Sequence, residues 1–494
     1  MKLTRRQFLA ALSATSVAPM IFVPRATRAQ QQATQGGARA RQVLIIYAQG
    51  GLRSHALFSF DGAPKSLNPY GVAGTPANPK VPFRLASPVG GNKDLYPFPT
   101  ALDDFMPDWG ENLPPLYTQT ERFSLLGPVD HNPGGEAVVD EKRARNLIAT
   151  GRAEGGPGLL TIIGNGLGAT RALPPFCIGD PAAIFGSVTS GLEAFAPVFV
   201  RDPLDIGATS NAYNRVTRDG RNGAVDQWEL ALRAALDDDL KAKNPRAAAS
   251  VVDRVIGGRS QMKAVQEVLS LPDLRFGNAD SSTSGVYSKV KSHGTTLTNR
   301  ALEQAFLPFL RFNSGGSTLT SNFSDPLGAK LAMAVRLFQA GCPAVAVGFG
   351  GFDLHRDEDR LMHLVTRPLA RGMSALLMVL SGLPGVQSKT MLEETLVVVV
   401  SEFGRDGVRD DTGFNEQGGS DHRGEPSSRY QILPVFGAGV KGGRLIGGFS
   451  PNENLTPTAK TYSSASLSAT LVSSLGVDPR QYISADPIED IFSG

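Results

Sequence analysis

Residues 344–355 read Ala-Val-Ala-Val-Gly-Phe-Gly-Gly-Phe-Asp-Leu-His. Ala344–Val347 is an uninterrupted apolar run with no turn residue, the pattern of a strand covered on both faces. Gly348, Gly350 and Gly351 follow, and glycine lets a backbone turn sharply and approach a ligand closely. Asp353 and His355 come next, two apart, so in extended chain both side chains leave the same face. A carboxylate and an imidazole converging at the carboxyl end of a buried strand suit a divalent metal, zinc first. A plainer reading of the same pair stays open: an aspartate capping the next helix and a histidine bonded to backbone.

Working outward, Leu331–Ala340 carries Leu331, Val335 and Phe338 on one helical face and is closed by Gly341. Asp359–Leu380 reads as a long amphipathic helix, Leu396–Val400 and Ile432–Phe436 as strands, and Ser464–Leu475 as a terminal helix. In the N-terminal half, Arg41–Ala48 is the strongest strand signal and runs into Gln49-Gly50-Gly51. Phe123–Gly127, Pro174–Ile178 and Ala196–Val200 are further strands, and Glu136–Ala149 is a helix closed by Thr150-Gly151. Phe58–Pro115, rich in Pro, Gly and Asn, reads as an ordered loop region with short helices. Gln227–Ala242 and Ala247–Leu269 suggest a helical insertion around residues 225–315. Alternating strands and helices give the α/β class: a mostly parallel central sheet with helices on both faces, in one large domain over residues 41–494.

The first 29 residues stand apart. Thr4-Arg5-Arg6-Gln7-Phe8-Leu9 is a twin-arginine signature, and the apolar run Phe8–Val23 follows it. That run falls short of the roughly 20 apolar residues a membrane helix needs. Small residues Thr27 and Ala29 suit signal cleavage before Gln30, with a retained anchor as the alternative. The expectations are a periplasmic or secreted protein without a stable membrane span after signal removal, and a disordered tether over Gln30–Ala40. The signal holds five of the 49 basic residues and none of the 46 acidic ones, so the remainder stands at 44 against 46, a net charge of −2. That balance gives no electrostatic case for nucleic acid. Cys177 and Cys342 lack zinc-motif spacing and read as two buried thiols in preference to a disulfide.

Downstream, Leu396–Val400 leads into Ser401-Glu402-Phe403-Gly404-Arg405, which puts Glu402 at a strand's carboxyl end, where open α/β sheets place their chemistry. Asp421 and His422 follow in a glycine-flanked loop, Gly418 to Gly424. Four of the six histidines (His55, His131, His355, His422) stand beside glycine-rich loops at predicted strand ends. Glu402 alone reads as a helix cap and Asp421-His422 alone as a surface turn; their convergence argues for one shared site.

Gly350–His355, Ser401–Arg405 and Gly419–His422, in that order and spacing, resemble the signature blocks of an exported bacterial family catalogued as domain of unknown function 1501, related to the alkaline phosphatase and sulfatase superfamily. The resemblance runs from Gln42 to about Pro479. It implies an alkaline phosphatase/sulfatase-like fold with a one- or two-metal site for phosphate or sulfate esters. Asp353, His355, Glu402 and His422 are then the candidate ligands, with Asp421 beside them. Two departures stand out. Gln49-Gly50-Gly51 occupies the place of a metal-binding aspartate, and Phe403 that of a ligand histidine. Between Leu125 and Ala149 there is no Ser, Thr or Cys, so the helix that carries the superfamily's nucleophile supplies none.

Two functions follow. The first is a metal-dependent hydrolase of an anionic small-molecule or polymer ester. Asp353, His355, Asp421 and His422 would hold zinc, or manganese or calcium. Glu402 would act as ligand or general base, and His131 or Arg405 would stabilise developing negative charge. Ser54, beside His55, is a weaker stand-in nucleophile. The second is a catalytically inactive binding or scaffolding relative of the same superfamily.

Overall fold

The structure is a computed structural model, and it describes residues 38–53, 58–60, 84–85, 95–97, 116–131, 140–168, 171, 173–201, 327–355, 358–405, 428–450 and 455–492. The expected signal, the insertion around 225–315, Ser54, His55, Asp421 and His422 all lie outside those residues.

Twelve strands are described. They are β1 (Gln42–Ala48), β2 (Phe58–Phe60), β3 (Arg84–Leu85), β4 (Leu95–Pro97), β5 (Phe123–Asp130), β6 (Phe176–Ile178), β7 (Val198–Val200), β8 (Ala344–Phe349), β9 (Thr395–Val400), β10 (Tyr430–Phe436), β11 (Arg444–Ile446) and β12 (Tyr462–Ser463). Ten of them form one sheet in the order β3-β11-β5-β10-β9-β1-β8-β6-β7, with β12 beside β5. Every pairing in it is parallel except those of β10, which runs antiparallel to both β5 and β9. The α/β class with a mostly parallel sheet is therefore what the chain adopts.

β1, β5, β8 and β9 are buried along their whole length, which requires cover on both faces of the sheet. Two helix groups give it. Glu141–Thr150 (α1), Leu159–Leu167 (α2) and Ser464–Ser474 (α5) pack together, and Leu327–Gln339 (α3) packs on Glu358–Gly382 (α4). Burying each Val, Leu or Ile of such a strand contributes roughly 1.5–3 kcal/mol, so the run Leu396–Val400 alone anchors its neighbours firmly. Asp140 caps α1, accepting the Arg143 N–H at 3.1 Å. The predicted start at Glu136 lies outside the described residues, and the helix runs one residue past the predicted end, to Thr150.

Several expectations need correcting. β5 continues past its expected end at Gly127, through Pro128 to Asp130. It can do so because its pairing with β10 shifts register between Gln431 and Leu433, which absorbs the irregular residues. Part of the presumed loop region is strand: β2 pairs antiparallel with β4, and β3 joins the main sheet beside β11. Helix α2 was not expected, since two glycines break its apolar run. The last tether residues are held: the Arg39 and Ala40 N–H groups both donate to Ser474 O at 2.9 Å. As expected, Cys177 and Cys342 are buried free thiols, and burial pushes both pKa values up. Among the described residues no helix is long and apolar enough to cross a membrane.

Candidate functional site

β8 and β9 flank β1 on opposite sides. Open α/β sheets place ligands outside the carboxyl ends of strands that diverge in this way. The chain that emerges there is Gln49–Arg53 from β1, Gly350–His355 from β8 and Ser401–Arg405 from β9. The end of β5, at His131, reaches the same edge, as does Ser428, just before the antiparallel β10.

Asp353 and His355 meet, although across a tight turn and not in extended chain: the Leu354 N–H donates to Phe352 O at 2.9 Å. His355 Nε2 lies 2.9 Å from Asp353 Oδ1, and both side chains are partly exposed. The same Oδ1 accepts from Arg405 Nη1 at 2.9 Å. Arg405 is fully buried, and the same Nη1 also donates to Gly50 O at 2.6 Å. Sequence reasoning offered Arg405 as a charge stabiliser for substrate; the structure turns it inward, onto Asp353 and the β1 turn.

Glu402 is likewise turned into the chain. It is 0% exposed. Its Oε1 accepts the Gly50 N–H at 3.0 Å and lies 3.6 Å from Arg145 Nε; its Oε2 lies 3.0 Å from Ser401 Oγ. Ser401 Oγ accepts the Leu52 N–H at 3.0 Å, and its single proton is shared between Ala48 O at 2.5 Å and the Glu402 carboxylate. A general base needs an oxygen facing substrate; both oxygens of Glu402 face backbone or neighbouring side chains instead. Burial first, and the Glu402 charge second, push the Tyr47 hydroxyl well above the ordinary phenol range. Tyr47, Arg145 and Ser401 were absent from the sequence-derived site. The one available signal for Arg145 was its place four residues after Glu141, with which it pairs at 2.9 Å.

His131 is 1% exposed. Its Nε2 lies 2.5 Å from Ser428 O and 3.0 Å from Gly404 N. The two contacts cannot both be hydrogen bonds to one nitrogen in one tautomer. The Gly404 N–H also reaches Ser428 O, at 3.1 Å, so the consistent assignment protonates Nε2 and lets Ser428 O accept from both. Nδ1 is then bare, and it has no hydrogen-bond partner among the described residues. Phe403, where the resemblance leads one to look for a histidine, packs edge-on against His131 at 6.2 Å and against Ala144 of α1. Next to His131, Asp130 and Arg429 form a two-pronged ion pair at 3.0 and 2.7 Å.

Burial is the main force lowering the pKa of His131, to about 4, with Arg429 adding to it and the Ser428 carbonyl and Asp130 opposing it. A neutral, enclosed imidazole is a brace and not a cationic stabiliser of charge. The unfolded chain takes up this proton near the ordinary value of 6.5, the native chain only near 4. Its contribution to stability is therefore complete above pH 6.5 and declines as pH falls to 4, by about 3 kcal/mol in all. Denaturant titrations between pH 4 and 7 are expected to show that slope, and His131→Gln to flatten it.

Donors about 2.0–2.1 Å from one ion stand roughly 2.9 Å apart in an octahedral shell and roughly 3.3 Å apart in a tetrahedral one. The Asp353–His355 separation of 2.9 Å fits a shared cation, and an arginine on a ligating carboxylate is an ordinary outer partner. The pair supplies two donors, and among the described residues no group of three or more His, Cys, Asp or Glu side chains could hold a metal. The chain bearing Asp421 and His422 leaves this edge at Arg405 and returns at Ser428, whose carbonyl accepts from Gly404.

A family model described as "Protein of unknown function (DUF1501)" matches residues 40–486. No curated protein matches the chain. Among solved structures, the chain is similar to a TAB5 alkaline phosphatase mutant with Mg bound in its M3 site, at 10% identity and a TM-score of 0.33, covering 89% of this chain and 99% of that one. It is also similar to the PsFucS1 sulfatase from Pseudoalteromonas sp., at 11% identity and a TM-score of 0.35, covering 99% and 75%. A third neighbour is Ps i-CgsB in complex with k-i-k-neocarrahexaose, at 8% identity and a TM-score of 0.32, covering 90% and 75%.

Proposed function

The chain belongs to the DUF1501 family, and from that premise we propose that it is an exported protein that binds phosphate or sulfate esters and hydrolyses them with the help of a divalent cation. The observation that carries this reading is the approach of Asp353 Oδ1 to His355 Nε2, 2.9 Å apart at the carboxyl end of β8, beside the strand that the sheet order makes its switch point. Asp353 and His355 would hold the cation, with Asp421 and His422 proposed as its further ligands. Zinc fits this mix of carboxylate and imidazole best, with manganese or calcium as alternatives. Such an ion, when bound, supplies Lewis acidity to the ester oxygen and brings the pKa of water towards ~7.

The chain's own residues set the rest. With no Ser, Thr or Cys from Leu125 to Ala149, water takes the place of a side-chain nucleophile. Arg405 keeps Asp353 oriented through its 2.9 Å bond. Export follows from Thr4–Leu9, and the periplasm or the medium is the destination.

A second reading draws on the inward-facing Glu402 carboxylate and the missing nucleophile: a binding or scaffolding protein that holds anionic esters without turning them over. One experiment separates the two. Zinc-loaded protein is incubated with aryl phosphates, aryl sulfates and a sulfated polysaccharide. Turnover on at least one of them, lost in Asp353→Ala and His355→Ala, is the expected result. Ester binding without turnover supports the second reading.

A further inference from the structure

We infer that Glu402 and Arg405 are positioning residues, which fix Asp353 through the Gly50 turn and meet neither substrate nor cation. The inference rests on the reading that Asp353 and His355 hold the cation. Between them the two side chains occupy both polar groups of one residue: Glu402 Oε1 accepts the Gly50 N–H at 3.0 Å, and Arg405 Nη1 donates to Gly50 O at 2.6 Å. Ser401 secures the same turn two residues on, accepting the Leu52 N–H at 3.0 Å. Arg405 then carries the constraint across to β8, since the nitrogen that holds Gly50 also donates to Asp353 Oδ1 at 2.9 Å. The backbones touch as well: a Cβ on Gly50 would stand 2.4 Å from Asp353 N. The turn cannot shift without moving Asp353.

A positive charge beside a cation site opposes the cation, and what favours Arg405 here is its bond to Gly50 O together with its ion pair to the Asp353 carboxylate. Glu402, wholly buried, is matched by the Gly50 amide and by Arg145 from α1. That pairing gives its charge a partner without exposing an oxygen to solvent.

The test uses the full chain, zinc titration, and hydrogen–deuterium exchange at Gly50, Leu52 and residues 353–355. In Glu402→Gln the amide oxygen can still accept from Gly50, so zinc affinity stays within about threefold, whereas Glu402→Ala loses about 10–100-fold, the range seen when outer partners of metal ligands are removed. Exchange at Gly50 and Leu52 accelerates in the alanine variant only. Arg405→Met is expected to weaken zinc binding by about 10-fold or more, although loss of a positive charge would by itself tighten it. Tighter zinc binding in Arg405→Met overturns the inference. So does loss of zinc in Glu402→Gln with Gly50 exchange unchanged, which would make Glu402 a ligand. Should Glu402→Ala fail to fold, the other two variants decide. Should the wild type bind no zinc, the proposed function fails by itself. Exchange in Arg405→Met then decides the coupling: acceleration at both Gly50 and residues 353–355 supports it, and acceleration at Gly50 alone overturns it.

Discussion

Gly50→Ala is expected to lower the unfolding free energy by about 2–5 kcal/mol, combining strain at a disfavoured backbone angle with overpacking, and to abolish zinc binding. Gly50 has φ +110°, a region L side chains rarely adopt, and a Cβ there would stand 2.4 Å from Asp353 N and 2.9 Å from Asp353 Cβ. The neighbouring atoms are backbone and the root of a side chain, so they cannot swing aside. Either the β1 turn leaves its bonds to Glu402 and Arg405, or the β8 loop moves and takes Asp353 with it. Gly439→Ala is the control. It has φ +81° with nothing within 4 Å of the added Cβ, so only conformational strain is expected there, about 1 kcal/mol. Denaturant unfolding of both variants measures the difference. Equal losses would mean that β1 and β8 do not approach as closely as described.

The same turn shows what could and could not be read from sequence. Uninterrupted apolar runs such as Leu396–Val400 and Ala344–Val347 announced buried strands because both their faces are covered, and the structure places them side by side with β1. The meeting of Asp353 with His355 was expected from extended chain, but the Leu354 N–H donates to Phe352 O at 2.9 Å, so a tight turn and not a strand brings the two side chains together. Glu402 and Arg405 face inward for a physical reason. A strand end marks where chemistry tends to be, but it does not say whether a side chain points outward to solvent or back onto a neighbouring turn. Here the glycine turn after β1 leaves backbone groups that need partners, and Glu402, Ser401 and Arg405 satisfy them. No local pattern encodes that demand, because Gly50 and Glu402 are separated by 352 residues. His131 was misleading in the same way: its glycine-rich surroundings suggested a reactive group, whereas burial under Phe403 and the Ser428 carbonyl makes it a neutral brace. Pro128 concealed the second half of β5 until the register shift in β10 was visible.

The largest functional effect is expected at Asp353 and His355 themselves. A site that loses one of its few ligands loses most of its affinity, more than the 10–100-fold typical of outer partners. Asp353→Ala should also leave the buried Arg405 guanidinium with Gly50 O but without its carboxylate, so a loss of stability of about 1–3 kcal/mol accompanies the loss of metal. His355 lies at the rim, 30% exposed in its side chain, and His355→Ala should remove metal with little change in stability. Metal content is what separates a ligand from a structural ion pair: if the pair were only a surface salt bridge, His355→Ala would change stability by no more than about 1 kcal/mol and both substitutions would leave metal content untouched.

Metal analysis of the purified chain, before and after equilibration with zinc, manganese and calcium, is the most direct test of a cation shared by Asp353 and His355. The account predicts about one divalent ion per chain, zinc preferred, absent from the Asp353→Ala, His355→Ala and His422→Ala proteins. A folded wild-type protein that carries no metal and takes up none of the three ions would contradict it.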